Sequence, residues 1–191
     1  KADSQIKKLK GSMGGLNKTV RNLAIGFGAL YLGKSLLGIA KNAIDTAGKF
    51  ELLRVRLNVL YGSVQRGGQA FDHFNKIASK TPFALQDVVD AGATLKAFGI
   101  DAEENLVAVA DLAAYMQVDL STAASNVGRA FAAGSGAADA FRDKGINPLI
   151  ASFAGVKDVT ELTLPEFRKA MFETFRDPGS RIAGMTEQMS K

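Results

Sequence analysis

Apolar residues recur near the start of the chain in steps of three and four, at Ile6, Leu9, Met13, Leu16, Val20, Leu23, Phe27 and Leu30, without a miss. A period of 3.5 residues keeps one narrow stripe on one side of a helix, which is the pattern of a coiled-coil seam. These positions predict an extended helix of about 36 Å, at 1.5 Å per residue. Such a helix self-associates or packs along a partner. The competing outcome is an ordinary amphipathic helix folded onto its own domain. Gly11, Gly14 and Gly15 work against the helix, each by about 1 kcal/mol relative to alanine. Past Leu30 the strict register would place Lys34 and Lys41 in the seam, so the stripe shifts to Leu37, Ala40, Ile44 and Ala47. The coil loosens or ends there.

A second stripe, Ile39, Ala43, Phe50, Leu53, Leu57 and Leu60, runs to Tyr61-Gly62, where glycine can end a helix. Gln69 to Ser79 gathers Phe71, Phe74 and Ile77 on one side, and Pro82 stops that unit. Leu85 to Phe98 follows, with small Ala91, Gly92 and Ala93 that would let another helix approach closely. Asp101 with Glu104 resembles a capping box and starts a helix to Tyr115 or Met116. Asp119 or Ser121 starts the next, which ends at Gly134-Ser135-Gly136. A short helix spans Ala137 to Lys144, and Thr163 with Glu166, plus Pro165 in the first turn, opens a final one that Pro178-Gly179 closes. Val156 to Thr163 is the best β-branched run, with room for one small hairpin. The expected class is all-α, an extended heptad-bearing helix followed by a compact multi-helix domain. No repeat of fixed length suggests a solenoid.

Composition fits one domain plus an arm: 191 residues, 47% hydrophobic and 23% charged. The net charge of +5 is concentrated in Lys1, Lys7, Lys8, Lys10, Lys18 and Arg21, opposed there only by Asp3. A basic arm suits an acidic protein wall, an anionic membrane or nucleic acid. It lacks the interleaved aromatics that would stack on bases, so stable sequence-specific nucleic-acid binding is not expected. The absence of cysteine excludes disulfides and thiolate metal sites and suits a reducing cytoplasm. Lys1 in place of Met and the abrupt Met189-Ser190-Lys191 end suggest a piece of a longer polypeptide. The expected division is an arm at 1–46, a compact domain at 47–178 and a linker at 179–191.

The stretch Lys80 to Asp101, KTPFALQDVVDAGATLKAFGID, with its Thr81-Pro82-Phe83 turn, its helical run and its Gly99-Ile100-Asp101 break, resembles the N-terminal domain of phage tail tape measure proteins. A second cluster, Lys144-Gly145-Ile146-Asn147-Pro148-Leu149, adds to the resemblance, which covers roughly Ala47 to Asp177. It implies a virion tail component, assembled in the host cytoplasm, that sets the length of the tail tube, occupies its lumen and leaves during genome ejection. The implied partners are the tail tube protein, distal tail or baseplate proteins and tail assembly chaperones, with transient host membrane contact. It implies no catalytic residues. From the residues themselves, the seam Ile6 to Leu30 predicts a homo-oligomer, and Lys7, Lys8, Lys10, Lys18 and Arg21 predict an acidic facing surface.

Three features point elsewhere. Gly28-Ala29-Leu30-Tyr31-Leu32-Gly33-Lys34-Ser35 fits the phosphate-loop pattern GxxxxGK(S/T), and Leu106 to Asp111 offers an apolar run ending in aspartate. A working loop must join a strand to a helix in a parallel sheet. Here its variable positions continue a helix pattern and no strand alternation follows. Leu23 to Ala40 is apolar except for Lys34 and Ser35 and reaches the lower edge of a membrane span. A central lysine costs roughly 3 kcal/mol on insertion scales, so insertion through Leu23 to Ala47 stands as the alternative function, a membrane-active helical protein. Finally, His73 is the only histidine and has no cysteine to join it, while the adjacent Glu103-Glu104 point in different directions on a helix. The phenylalanines, among them Phe98, read as core. No enzyme, metal or cofactor is expected.

Overall fold

The computed structural model describes residues 36–137 and 139–189, with side chains from residue 48 onward. Its contacts divide the chain into Lys1–Ala47 and Gly48–Lys191, and every packing statement below concerns the second unit. The heptad positions Ile6 to Leu30, the basic residues Lys7, Lys8, Lys10, Lys18 and Arg21, and the Gly28 to Ser35 motif lie outside the described residues.

Everything regular among the described residues is helical. Nine α-helices follow in order: α1 Leu36–Tyr61, α2 Val64–Ala78, α3 Leu85–Ala97, α4 Ala102–Met116, α5 Leu120–Ala133, α6 Asp139–Asp143, α7 Ile146–Ala154, α8 Leu164–Arg176 and α9 Met185–Met189. Two 3-10 turns, Ser135–Ala137 and Val159–Glu161, interrupt them. The hairpin expected at Val156 to Thr163 is not there. Asp158 instead accepts a hydrogen bond from Thr160 N at 2.8 Å while Glu161 accepts from Asp158 N at 3.1 Å, so local capping wins over β propensity.

Side-chain caps mark the starts of α2, α4, α5 and α8. Ser63 accepts from Arg66 N at 3.1 Å, Asp101 from Glu104 N at 3.1 Å and Asp119 from Thr122 N at 2.7 Å. Thr163 and Glu166 form the expected capping box with Pro165 in the first turn of α8. Ser63 starts α2 five residues before the predicted Gln69 to Ser79 unit begins, at Val64. At the other ends, the α3 helix closes through Ile100 N to Leu95 O at 3.0 Å, a bond that needs the positive φ of Gly99. Gln117 performs the same turn after α4 at φ 58°, without glycine.

The core is built round α4. Leu106, Val109, Leu112 and Met116 are buried together with alanines on almost every side of that helix. Helices α3, α5, α8 and α9 pack against it, and α2 touches it more lightly. Small residues permit the closest crossings: an added Cβ on Gly92 would lie 2.7 Å from the Phe74 ring, and one on Gly67 would lie 2.4 Å from the backbone nitrogen of Asn58. Phe74, Phe141, Phe167 and Phe175 are fully buried, as expected of core aromatics, whereas Phe98 lies at the surface over Gly128.

Residues 179–189, expected as linker, are packed in the structure. Ile182 is fully buried, and the first turn of α9 sits on the Asp111 carboxylate. That carboxylate accepts from Gly184 N at 2.8 Å and Thr186 N at 2.9 Å, and from the Thr186 hydroxyl at 2.5 Å. Its surroundings are helix-capping donors, the physical role the sequence had left open for Asp111.

Candidate functional site

Four groupings of polar or exposed side chains stand out, and each can be built from its residues upward. The first is a shallow cleft of about 310 Å³ between α4, α5 and α8. Arg168, one turn into α8, donates from Nε to the Phe131 carbonyl at 2.6 Å and lies 4.2 Å over the Phe131 ring. Arg176, at the end of α8, donates to Glu104 at 2.8 Å and also to Asn105. Both guanidinium groups are thus committed to holding α8 against its neighbours. Asp101, Glu104 and Glu173 balance the basic groups of the lining. The two arginines act here as struts between α8 and its neighbours.

The second grouping surrounds Tyr61 at the end of α1. Burial pushes its hydroxyl up to about 12, and the negative charges of Glu103 and Asp101 push in the same direction against Arg66. Lys96 Nζ lies 4.3 Å over the Tyr61 ring, a cation–π contact between α1 and α3. His73 is half-buried and its Nε2 donates to the Glu103 carbonyl at 3.0 Å. The lysine stacked on the Tyr61 ring ties α1 to α3, and the histidine spent on the Glu103 carbonyl ties α2 to α4. Among the described residues no group of three or more histidine or acidic side chains could hold a metal ion.

The third is the Asp111 carboxylate described above. It is buried and caps α9 from a helix 73 positions earlier in the chain. A lone aspartate inside the run Leu106 to Tyr115 was the available signal, because a buried carboxylate demands donors.

The fourth is the outward face of α1. The stripe read from the sequence does turn inward: Leu53 and Leu57 are buried, and Phe50 and Leu60 are partly so. Ile39 and Ala43 belong to the same reading but fall before the described side chains. Leu52, Val55 and Val59, in contrast, are exposed. Their spacing of three and four is legible in the sequence, but the inward stripe alone accounts for a helix there.

The predicted interface residues Ile6, Leu9, Met13, Leu16, Val20, Leu23, Phe27 and Leu30, with Lys7, Lys8, Lys10, Lys18 and Arg21, are outside the described residues and are not brought together with any of these groupings. The same holds for Leu23 to Ser35 of the membrane alternative. Among the described residues no single helix is long and apolar enough to cross a membrane; only α4 and α5 taken together pass by length and composition, with a 110° bend between them, and both are core helices here. Comparison with family models, curated proteins and solved structures finds no match for this chain.

Proposed function

We propose that this chain is the N-terminal part of a tape measure protein of a phage or phage-like tail, an assembly component that acts by burying helical surfaces against other proteins. The observation that carries the reading is the segment Lys80 to Asp101, whose resemblance to that family rests on a turn, a helix and a break. In the structure Lys80 to Phe83 is turn and bend, Leu85–Ala97 is helix and Gly99 leaves it at positive φ. The second cluster likewise has Gly145 at φ 71° opening α7. Support of a different kind comes from the polar groupings above, each of which is occupied with joining helices.

In this reading the rest of a longer chain spans the tube lumen, the tail tube protein polymerises round it with the help of chaperones, and distal tail or baseplate proteins hold its end. Helix length is proportional to residue number at about 1.5 Å each, which makes such a ruler physically workable. The test is electron microscopy of tails formed in cells that lack this polypeptide. Missing tubes, or tubes of irregular length, are expected. Tubes of normal, uniform length in its absence overturn the proposal.

A further inference from the structure

Helix α1 carries two apolar lines, and the core of the second unit uses one of them. At about 100° per residue, Phe50, Leu53 and Leu57 fall within an arc of about 60°, and Leu52, Val55 and Val59 within another arc of about 60°, the two centred roughly 160° apart. The first line is covered by the protein's own core. The second is open: Leu52 is 71% exposed, Val55 48% and Val59 79%. Scattered single apolar residues on a surface need no explanation. Three on one line at steps of three and four, opposite a buried line of the same helix, form half of a helix–helix seam.

The charges beside this line select its occupant. Glu51 lies on one flank and Arg56 on the other, each about 70° from the centre of the stripe, with Lys49 on the Arg56 side. Glu51 and Lys49 make no ion pair among the described residues. Arg56 is bonded to Asp90 through one nitrogen and keeps further N–H donors. When two copies of a helix pair in parallel, the left flank of each meets the right flank of the other, at an offset of five residues. That is the separation of Glu51 from Arg56. An antiparallel pair that sets Leu52 opposite Val59 would instead place Glu51 beside Asn58 of the other copy and away from Arg56.

We infer that Leu52, Val55 and Val59 form a homotypic interface, in which a second copy of this chain lies parallel and in register along α1, with Glu51 of each copy facing Arg56 of the other. This contact lies outside the 1–46 arm and goes beyond the tail reading, on which it does not depend.

Because the chain has no cysteine, single-cysteine variants give a clean test on the full 191-residue polypeptide. Leu52→Cys and Val59→Cys are each oxidised in a glutathione buffer, with the exposed Ser152→Cys as control. Parallel pairing in register predicts that both variants link to themselves about tenfold more than the control. Adding Val55→Asp to either should cut that linkage by about tenfold, with an unchanged helical circular dichroism spectrum and melting temperature, since Val55 is not part of the core. Background linkage in either variant overturns the inference. So does a mixed Leu52–Val59 disulfide in an equimolar mixture, which marks an antiparallel pair, and so does linkage that survives Val55→Asp, which places the contact elsewhere.

Discussion

Helix α4 and the Gly48–Tyr61 part of α1 are both rich in apolar residues, yet the structure treats them in opposite ways. In α4 the apolar positions extend round the whole helix and nearly all are buried, because four other helices surround it. In α1 they fall on two lines, and one of the two is left in solvent. Apolar content alone does not separate a core helix from an interface helix. What separates them is whether the chain supplies enough neighbours to cover every apolar face.

The largest expected effect breaks this contrast directly. Leu112 is fully buried in α4 and Leu52 is exposed on α1. Leu112→Ala removes buried methyl groups and leaves a cavity, which costs about 2–5 kcal/mol. Leu52→Ala should change the stability of a single copy by no more than about 0.5 kcal/mol. Urea unfolding at low protein concentration checks both. Equal shifts in midpoint would mean that the open face of α1 is covered within one chain.

Next in size is the Asp111 anchor, which decides whether α9 belongs with the closed region. The carboxylate accepts from Gly184 N, Thr186 N and the Thr186 hydroxyl, and hydrogen bonds to a charged acceptor are worth about 1.5–3 kcal/mol each before non-additivity is counted. Asp111→Ala is expected to release the last helix locally, raising amide exchange at Gly184 and Thr186 by about a hundredfold. Exchange that rises equally across α4 would show global loosening in place of a released segment.

A pair of neighbouring glycines in α2 sharpens the contrast between the inner and outer sides of this part of the molecule. A Cβ on Gly67 would strike the backbone of Asn58 in α1, whereas one on Gly68 would meet nothing within 4 Å. Alanine improves the helix by about 1 kcal/mol at either site. At Gly67 the clash is with backbone, which cannot swing aside, and overpacking of about 1–3 kcal/mol outweighs the gain. Gly67→Ala should therefore lower the melting temperature and Gly68→Ala raise it.

Much of this architecture was legible in the residues. Asp101 with Glu104, and Thr163 with Glu166 and Pro165, announce helix starts because their hydrogen bonds reach only three positions along the chain. Gly62, Gly99 and Gly145 mark breaks for the same local reason. What escaped the reading is long-range or competitive. The pairing of Asp111 with residues 184–186 depends on tertiary placement, so 179–189 read as linker. Asp158 and Glu161 sit inside a β-branched run, and that run suggested a hairpin where a capping box forms. Leu52, Val55 and Val59 had the right spacing, but exposure is decided by what packs nearby, and spacing does not contain that. The seam from Ile6 to Leu30 lies outside the described residues.

The smallest effect concerns acid, and it should again divide the molecule. Hydrogen bonds from the Thr122, Thr160 and Thr163 side chains, followed by those from their backbone amides, hold the carboxyls of Asp119, Asp158 and Glu166 below their ordinary values of 3.8, 3.8 and 4.5. A carboxylate whose folded value is depressed contributes stability that is fully present above its unfolded value and is lost as pH falls through the folded one. These three groups cap α5, the Val159–Glu161 turn and α8, whereas the cap of α2 is Ser63, which does not titrate in this range. Acidification from pH 6 through the depressed range should therefore loosen the starts of α5 and α8 and leave the junction of α1 with α2 in place. Amide chemical shifts report this: Thr122 and Thr160 titrate with their carboxylate partners, and Arg66, bonded to Ser63, stays flat. Asp119→Asn, Asp158→Asn and Glu166→Gln together should reduce the fall of melting temperature with acid. An unaltered slope in that triple variant would assign the acid sensitivity to other carboxylates, and an Arg66 amide that titrates alongside Thr122 would erase the division between the two regions at this level.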